Sequence, residues 1–218
     1  MFKYNIIGSS SKGNAIIVED ILLLDVGVSY VRLKKYMSKI KLIYISHIHK
    51  DHLSPKTIEM INYNFPTIKY LCGSLEVCAK LSELHIPKKN IYVIPSGKWY
   101  DLGVFKVKLE ELIHDAPNYA LKCEYKGEKL IYIVDTANVD NIKAKGYDLY
   151  LIENNYREDI LKKHIEECED VNKLYYLNRV PNTHLSSEQA NSFLIENMLD
   201  NGRFEYIHKS NYNYEEID

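Results

Sequence analysis

The run Ser46-His47-Ile48-His49-Lys50-Asp51-His52 constrains this chain more than any other stretch. It follows the apolar residues 42–45, which read as a buried strand. If the strand continues, His47 and His49 point to the same side, because side chains alternate along a strand. The pair Ser54-Pro55 then marks the start of a helix as N-cap and first helical residue. Three imidazoles and a carboxylate in six residues therefore predict an open metal site with part of a second.

Two plainer interpretations of this run compete with a catalytic metal site. Ordinary surface-loop histidines are the first, but four ligand-type side chains directly behind an apolar strand argue against it. A closed structural zinc site is the second, but such sites favour cysteine and the run contains none. Four cysteines lie elsewhere without metal-binding spacing, and we expect them to be reduced thiols: Cys72, Cys78, Cys123 and Cys168.

Chain length and net charge limit the classes of protein to which this sequence can belong. A chain of 218 residues predicts one domain, 1–218, with a substantial core. The net charge of −2 gives no overall attraction to nucleic acid, although a local basic groove stays open as an alternative. Neither a signal peptide nor an apolar stretch long enough for a membrane is visible, so we expect a cytoplasmic protein without membrane partners.

Strands and helices are interspersed in both halves of the chain, a pattern typical of an α/β protein with two packed sheets and outer helices. Four polar residues follow otherwise apolar strands: His114, Asp135, Glu153 and His208. Residues at strand ends collect at one edge of a sheet, where sites tend to form. Asp25, at another strand end, is expected to hold the metal loop by hydrogen bonds to it.

The HIHKDH run resembles the His-x-His-x-Asp-His signature of the metallo-β-lactamase superfamily. The resemblance implies a four-layer αββα sandwich. It also implies two divalent metal ions, with zinc expected first and manganese second. One ion would be held by His47, His49 and His114, the other by Asp51, His52 and His208, and Asp135 would bridge them.

Two late histidines compete for the last ligand position. His184 lies in NTHLSSEQA and His208 in HKSNYN, segments that resemble two motifs of the nuclease-like branches. That resemblance assigns His208 to the metal and His184 to catalysis, paired with Glu153 as in ribonuclease Z-like enzymes. A glutamate that merely caps the next helix is the alternative for Glu153.

The implied chemistry is hydrolysis of a phosphodiester. A pair of divalent ions can lower the pKa of a shared water and neutralise the phosphate oxygens. Asp51 would accept the proton of the attacking water, and protonated His184 would donate one to the departing alkoxide. An oxidoreductase is disfavoured because His49 stands where oxygen-reducing diiron relatives carry a glutamate.

Within the superfamily, the chain resembles the small WalJ/YycJ family of probable nucleases, through GSSSKGN, LLLDVG, IENN, NTHLS and HKSNYN. Three residues depart from those motifs, namely Thr183, Lys209 and Asn211, and they affect the expected substrate more than the metals. The chain also resembles small phage enzymes that degrade cyclic mononucleotides of antiviral signalling, since it has neither the inserted β-CASP domain nor the arm of ribonuclease Z.

The leading hypothesis is therefore a dinuclear-metal phosphodiesterase acting on a small cyclic nucleotide, as in phage counter-defence. The alternative is a WalJ/YycJ-like metal-dependent exonuclease on DNA or RNA. A thioesterase or lactonase ranks third, and a binding module without turnover ranks last because no expected ligand is missing. Similar enzymes also suggest a homodimer whose subunits complete each other's pockets.

Overall fold

The computed structural model describes residues 1–210. Residues 211–213, the end of the terminal motif predicted from the sequence, lie outside the described residues.

Two six-stranded sheets form the centre of the described chain. The first contains β1 (Tyr4–Gly8), β2 (Ala15–Val18), β3 (Leu22–Leu24), β4 (Leu42–Tyr44), β5 (Lys69–Cys72) and β6 (Ile91–Val93), in that spatial order. The second contains β7 (Trp99–Asp101), β8 (Lys106–Leu112), β9 (Asn118–Tyr125), β10 (Glu128–Ile133), β11 (Leu149–Glu153) and β12 (Arg203–Ile207), also in chain order. Each sheet is therefore built from one continuous half of the chain.

Both sheets are mixed. In the first, β1, β2 and β3 pair antiparallel and β3 to β6 pair parallel. In the second, β7 to β10 pair antiparallel and β10 to β12 pair parallel. The parallel strands point their carboxyl ends to the same edge, and this edge carries most of the candidate ligands.

Among residues 1–210, six α-helices accompany the sheets: α1 (Tyr30–Leu33), α2 (Pro55–Asn64), α3 (Leu75–Glu83), α4 (Glu158–Glu166), α5 (Val171–Arg179) and α6 (Ser187–Asn197). Alternate residues of one strand enter different layers, as period-two side chains require. Tyr44 packs between the two sheets, while Ile43 packs towards α2 and α3. Tyr150 and Ile152 likewise pack against α6. The helix–sheet–sheet–helix order confirms the predicted four-layer αββα sandwich.

Two helical predictions differ from the structure. The apolar pattern predicts a helix over 31–39, but α1 ends at Leu33 and turns follow, with Ile40 N bonded to Met37 O at 3.2 Å. Leu33, Met37 and Ile40 are all buried. The apolar spacing therefore predicts correctly which side chains are buried, but it does not predict the backbone hydrogen bonds. A helix predicted over 157–170 is two helices, because Asp170 accepts a bond from Lys173 N and caps α5.

No helix among residues 1–210 has both the length and the apolarity needed to cross a bilayer.

Candidate metal centre

The loop after β4 forms a compact turn that presents the HIHKDH side chains. Backbone bonds from His52 N and Leu53 N to His49 O, at 2.9 and 2.7 Å, close the turn. β4 ends at Tyr44, so the strand does not continue through these residues, yet His47 and His49 still face the same ligand group, as expected. His47 and His52 are buried, whereas His49 and Asp51 are partly exposed.

Asp25 holds this loop in place by hydrogen bonds, as the sequence predicts. Its buried carboxylate accepts hydrogen bonds from Ser46 N at 2.8 Å and from Tyr132 Oη at 2.7 Å. It also lies 2.7 Å from His52 Nδ1, so the Nε2 atom of His52 faces the centre. A carboxylate on the outer nitrogen of an imidazole is a common support for a metal ligand.

The first ligand group consists of His47, His49 and His114, whose ligand-type nitrogens lie within 4.8 Å of one another. His114 Nε2 lies 3.3 Å from His49 Nδ1, although 65 residues separate them. His47 Nε2 is buried and has no hydrogen-bond partner among residues 1–210. A buried, unpaired imidazole nitrogen is costly unless something binds it. The three histidines therefore fit a divalent cation.

The second group consists of Asp51, His52, Asp135 and His208, again with ligand-type atoms within 4.8 Å of one another. Asp135 Oδ2 lies 2.9 Å from His52 Nε2 and 3.4 Å from His47 Nε2, so this carboxylate stands between the two groups. His208 Nε2 lies 3.3 Å from Asp51 Oδ2. A mixed imidazole and carboxylate set suits zinc and tolerates manganese.

Glu153, which is buried, and His184, which is partly exposed, form a pair beside these groups. His184 Nδ1 lies 2.7 Å from Glu153 Oε1, while Glu153 Oε2 accepts bonds from Thr136 N at 3.0 Å and Leu185 N at 3.2 Å. The glutamate is fully buried and does not cap the following helix, whose N-cap is Arg157. Its carboxylate therefore orients the imidazole, as the catalytic interpretation requires.

Burial and charge act against each other on the pKa values of these groups. Burial would lower the pKa of His184, but the charge of Glu153 and hydrogen bonds to Asp135 and Glu153 outweigh it and raise that pKa to about 11. Burial would raise the pKa of Asp135, yet His208 and His52 hold it well below its usual range. These directions favour a protonated His184 beside an ionised Asp135.

All nine residues predicted for the site meet at one edge of the sandwich: His47, His49, Asp51, His52, His114, Asp135, Glu153, His184 and His208. The pattern did not identify Asn14, whose Nδ2 lies 2.9 Å from His52 Nε2 and 3.3 Å from Asp51 Oδ2. Nor did it identify Ser9, whose Oγ accepts a 2.7 Å bond from His208 N. Both residues lie in the GSSSKGN segment, which entered the sequence analysis only as a family motif.

Comparisons with known proteins give one partial likeness in sequence. No family model matches the chain. A cytidine monophosphate-N-acetylneuraminic acid hydroxylase from Asterias rubens is 32% identical over 121 residues, which are 53% of this chain and 18% of that protein. The inactive human protein of the same description is 36% identical over 98 residues, 43% of this chain and 20% of its own length. The chain thus covers a fifth or less of these relatives.

Similarity in three dimensions is far more extensive. The metallo-β-lactamase fold protein YhfI from Bacillus subtilis has a TM-score of 0.72 at 17% identity, covering 95% of this chain and 86% of its own. Human tRNase Z, short form, has a TM-score of 0.70 at 17% identity, covering 99% and 95%. Zinc-bound PqqB from Methylobacterium extorquens has a TM-score of 0.68 at 13% identity, covering 98% and 90%. With its two mixed sheets, outer helices and strand-end histidines, the chain therefore has the metallo-β-lactamase fold.

Proposed function

We propose that this chain is a dinuclear-metal phosphodiesterase whose preferred substrate is a small cyclic nucleotide. The observation that carries the proposal is the arrangement of two adjacent ligand groups around Asp135, with the His184–Glu153 pair directly beside them. Hydrolysis of a phosphodiester needs charge neutralisation, an activated water and a proton for the leaving group. The described residues offer a group for each of these needs.

The proposed ligands divide between two divalent ions, zinc first and manganese second. His47, His49 and His114 would hold one ion, Asp51, His52 and His208 the other, and Asp135 would bridge both. Bound there, the ions would supply a water of lowered pKa and neutralise the phosphate oxygens. Zinc agrees with the imidazole-rich donor set and with zinc-bound PqqB, which shares the fold.

Asp51 is the proposed proton acceptor for the attacking water. Its carboxylate is partly exposed, with 22% of the side chain accessible, whereas the other carboxylate of the second group, Asp135, is almost fully buried. Asn14 holds Asp51 by a 2.7 Å bond from its backbone N to Asp51 O. An accessible carboxylate on a fixed backbone can take a proton at the centre and release it to solvent.

His184 is the proposed general acid. Its Nδ1 atom is bound to Glu153, so the Nε2 atom is free to face the substrate side, and 19% of the side chain is accessible. The buried carboxylate favours the protonated imidazole, which can donate to a departing alkoxide. Glu153 acts here through His184, as a positioning residue.

The net charge of −2 supports a small nucleotide more than a long polyanion. The names of the curated relatives include cytidine monophosphate, which agrees with a nucleotide substrate. The likeness to human tRNase Z favours the second candidate, an exonuclease on DNA or RNA. The hydroxylase activity in the relatives' names belongs to a different class, and His49 disfavours it at the position where diiron oxygen-reducing relatives carry glutamate.

The deciding experiment assays metal-free protein reconstituted with zinc or manganese. The substrates are bis-p-nitrophenyl phosphate, cyclic mononucleotides, single-stranded DNA and RNA, and thioester and lactone panels. We expect metal-dependent phosphodiester cleavage with cyclic mononucleotides turned over fastest, and loss of activity in Asp135→Asn. Asp140→Asn, an exposed aspartate on the following loop, serves as the matched control.

Other outcomes of this assay have defined meanings. Cleavage of DNA or RNA alone would select the exonuclease, and thioester or lactone turnover alone would select the third class. A protein that binds two ions and cleaves no phosphodiester would refute the proposal.

A further inference from the structure

Three of the candidate ligands share one feature, an outer imidazole nitrogen held by a specific partner. In each of them Nδ1 is the outer atom and Nε2 faces the centre. The partners are Ser46 Oγ for His47 at 3.0 Å, Asp25 Oδ2 for His52 at 2.7 Å, and Thr183 O for His114 at 2.9 Å. Such partners fix the tautomer and the orientation of a metal-binding imidazole.

His49 is oriented the other way round. Its Nδ1 atom lies 3.3 Å from His114 Nε2. Two nitrogens bound to one tetrahedral zinc at its usual bond lengths stand about 3.3 Å apart. Nδ1 is therefore the metal-facing atom of His49, and Nε2 is its outer atom. Asp115 Oδ1 lies 3.4 Å from that Nε2 and also 3.1 Å from His114 Nε2.

Asp115 is itself held by a cation. It lies after β8, next to His114, and its Oδ2 atom contacts the guanidinium of Arg179, the last residue of α5. The Asp115 side chain is 33% exposed and the Arg179 side chain 50% exposed, so the pair stands at the mouth of the centre. A carboxylate with one oxygen towards an arginine and the other beside both His49 and His114 has a defined orientation.

We propose that Asp115 is a positioning residue for His49: it accepts a hydrogen bond from Nε2–H and thereby presents Nδ1 to the ion shared with His47 and His114. Arg179 keeps the carboxylate in place from α5. This inference rests on the metal centre of the proposed function, but not on the identity of the substrate. Without the acceptor, the His49 ring can rotate or change tautomer, and the first ion loses a preorganised ligand.

The test measures metal binding directly. Zinc affinity of Asp115→Ala and Asp115→Asn is determined by competition with a chromophoric chelator. Loss of an outer partner typically weakens metal binding about 10–100-fold. We expect that loss for one of the two ions and an unchanged affinity for the other. Asp159→Asn is the matched control, because Asp159 pairs with Arg157 on the surface in the same way and no contact with a histidine is recorded for it among residues 1–210.

A spectroscopic readout separates positioning from general stability. In zinc-loaded protein with ¹⁵N-labelled histidine, we expect His49 to show a protonated Nε2 and a metal-bound Nδ1. In Asp115→Ala the His49 Nε2–H resonance should exchange faster or disappear, while the resonances of His52 and His114 stay. Asp115→Glu should restore part of the affinity, since it keeps the acceptor.

Arg179 is tested by a double-mutant cycle. Arg179→Gln should weaken the same ion, and the double variant with Asp115→Ala should be no weaker than Asp115→Ala alone, because Arg179 acts through that carboxylate. The single variant Arg179→Gln stays informative even if Asp115→Ala folds poorly, because it leaves Asp115 in place. Full additivity of the two changes would overturn the role of Arg179.

Wild-type affinity for both ions in Asp115→Ala, with an unchanged His49 resonance, would overturn the inference. A wild-type protein that binds no ion would overturn the metal centre and this inference together. Two bound ions without phosphodiester turnover would refute the proposed function alone.

Discussion

Asp135 and His208 leave their strands with backbone φ angles of 50° and 52°. Residues other than glycine seldom adopt this left-handed region, although aspartate and histidine tolerate it better than most. Asp25, which holds the metal loop, has φ 58°. Such conformations cost of order 1–3 kcal/mol and cluster at functional sites. The turn they produce directs each side chain inward from a strand end. The same left-handed conformation occurs at Glu19, Asp20, His85 and Lys126, so it positions these side chains but does not by itself mark the centre.

The proposed role of His184 gives a prediction about leaving groups. His184→Ala should slow cleavage of a cyclic nucleotide by about 10²–10⁴-fold, because an alkoxide must be protonated as it departs. Release of p-nitrophenolate needs no proton, so kcat for bis-p-nitrophenyl phosphate should change little. His85→Ala, an exposed histidine outside the centre, is the control. Equal losses on both substrates would exclude the general-acid role.

Metal uptake should release protons at pH 7. Burial would lower the pKa of His52, but Asp135 and Asp25 raise it well above 6.5, so the metal-free protein carries a proton there at pH 7. A ligand imidazole must be neutral, hence binding expels that proton and the affinity rises with pH. Titration calorimetry in two buffers of different ionisation enthalpy measures the release.

Asp25→Asn provides the control for proton release. Loss of the Asp25 charge lowers the pKa of His52, so fewer protons should be released per ion. Binding heats that do not depend on the buffer, together with an affinity that is flat between pH 6 and 8, would contradict the prediction.

Most residues of the candidate site could be predicted from the sequence, because the signals that mark them are local in the chain. Four candidate ligands lie in one run, and the others stand where apolar strands end, a position that sequence shows directly. The partners Asn14, Thr183 and Asp115 were not predictable, because each contacts its histidine across a loop whose path depends on packing. Asp115 even adjoins the predicted His114, but adjacency does not reveal its approach to His49.

At the scale of elements, the absence of a side chain at Gly27 lets the metal loop pack closely against the segment that follows β3. A Cβ on Gly27 would lie 1.6 Å from the backbone oxygen of Asp51. Gly27→Ala must therefore displace the segment that carries Asp51 and His52. Overpacking of this kind costs typically about 1–3 kcal/mol. We expect a lower free energy of unfolding and the loss of one bound ion.

Gly127→Ala is the matched control for that substitution. Gly127 has φ +82°, but a Cβ there meets nothing within 4 Å. Gly127→Ala should lower the free energy of unfolding by about 1–2 kcal/mol through backbone strain, and the variant should still bind two ions. Denaturant unfolding and metal analysis measure both quantities, and two bound ions in Gly27→Ala would show that the loop adapts.

Helix boundaries were the least predictable elements. The residues 31–39 have a helical spacing of apolar side chains, yet only residues 31–33 are helical, as the end of α1. Three-residue turns bury the same side chains, so periodicity alone does not separate the two. Asp170 illustrates a second ambiguity: an aspartate in a polar stretch can end one helix or cap the next, and here it caps α5.

At the scale of the molecule, the candidate ligands divide between the two sheets. The HIHKDH loop follows a strand of the first sheet, whereas His114, Asp135 and His208 follow strands of the second. Ions bound between them would crosslink the sandwich. At a free metal concentration 100 times Kd, binding stabilises the folded state by about 2.7 kcal/mol.

Chelation should therefore lower the melting temperature. For a chain of this size each kcal/mol corresponds to about 2–4 °C, so a fall of about 5–10 °C is expected for such a binding energy. Calorimetry before and after a chelator, followed by zinc addition, measures the change. A melting temperature that changes with neither the chelator nor the added zinc would contradict a crosslinking ion.

The layered architecture came from the resemblance carried by the motif, because periodicity shows strands and helices but not which strands pair. The order of strands within each sheet could not be derived from the pattern of apolar residues. The single domain, the homodimer, the location and the substrate stay predictions.

Because each sheet is one continuous half of the chain, the molecule has a natural cut between β6 and β7, within residues 95–98. Two separately expressed fragments should reassemble by fragment complementation, since no strand pairing within the described residues crosses the cut. Neither fragment alone carries a full coordination sphere. If the two fragments bind zinc only when mixed, zinc binding reports that the two halves have docked. Fragments that associate without binding zinc would show that the ligands do not meet at this interface.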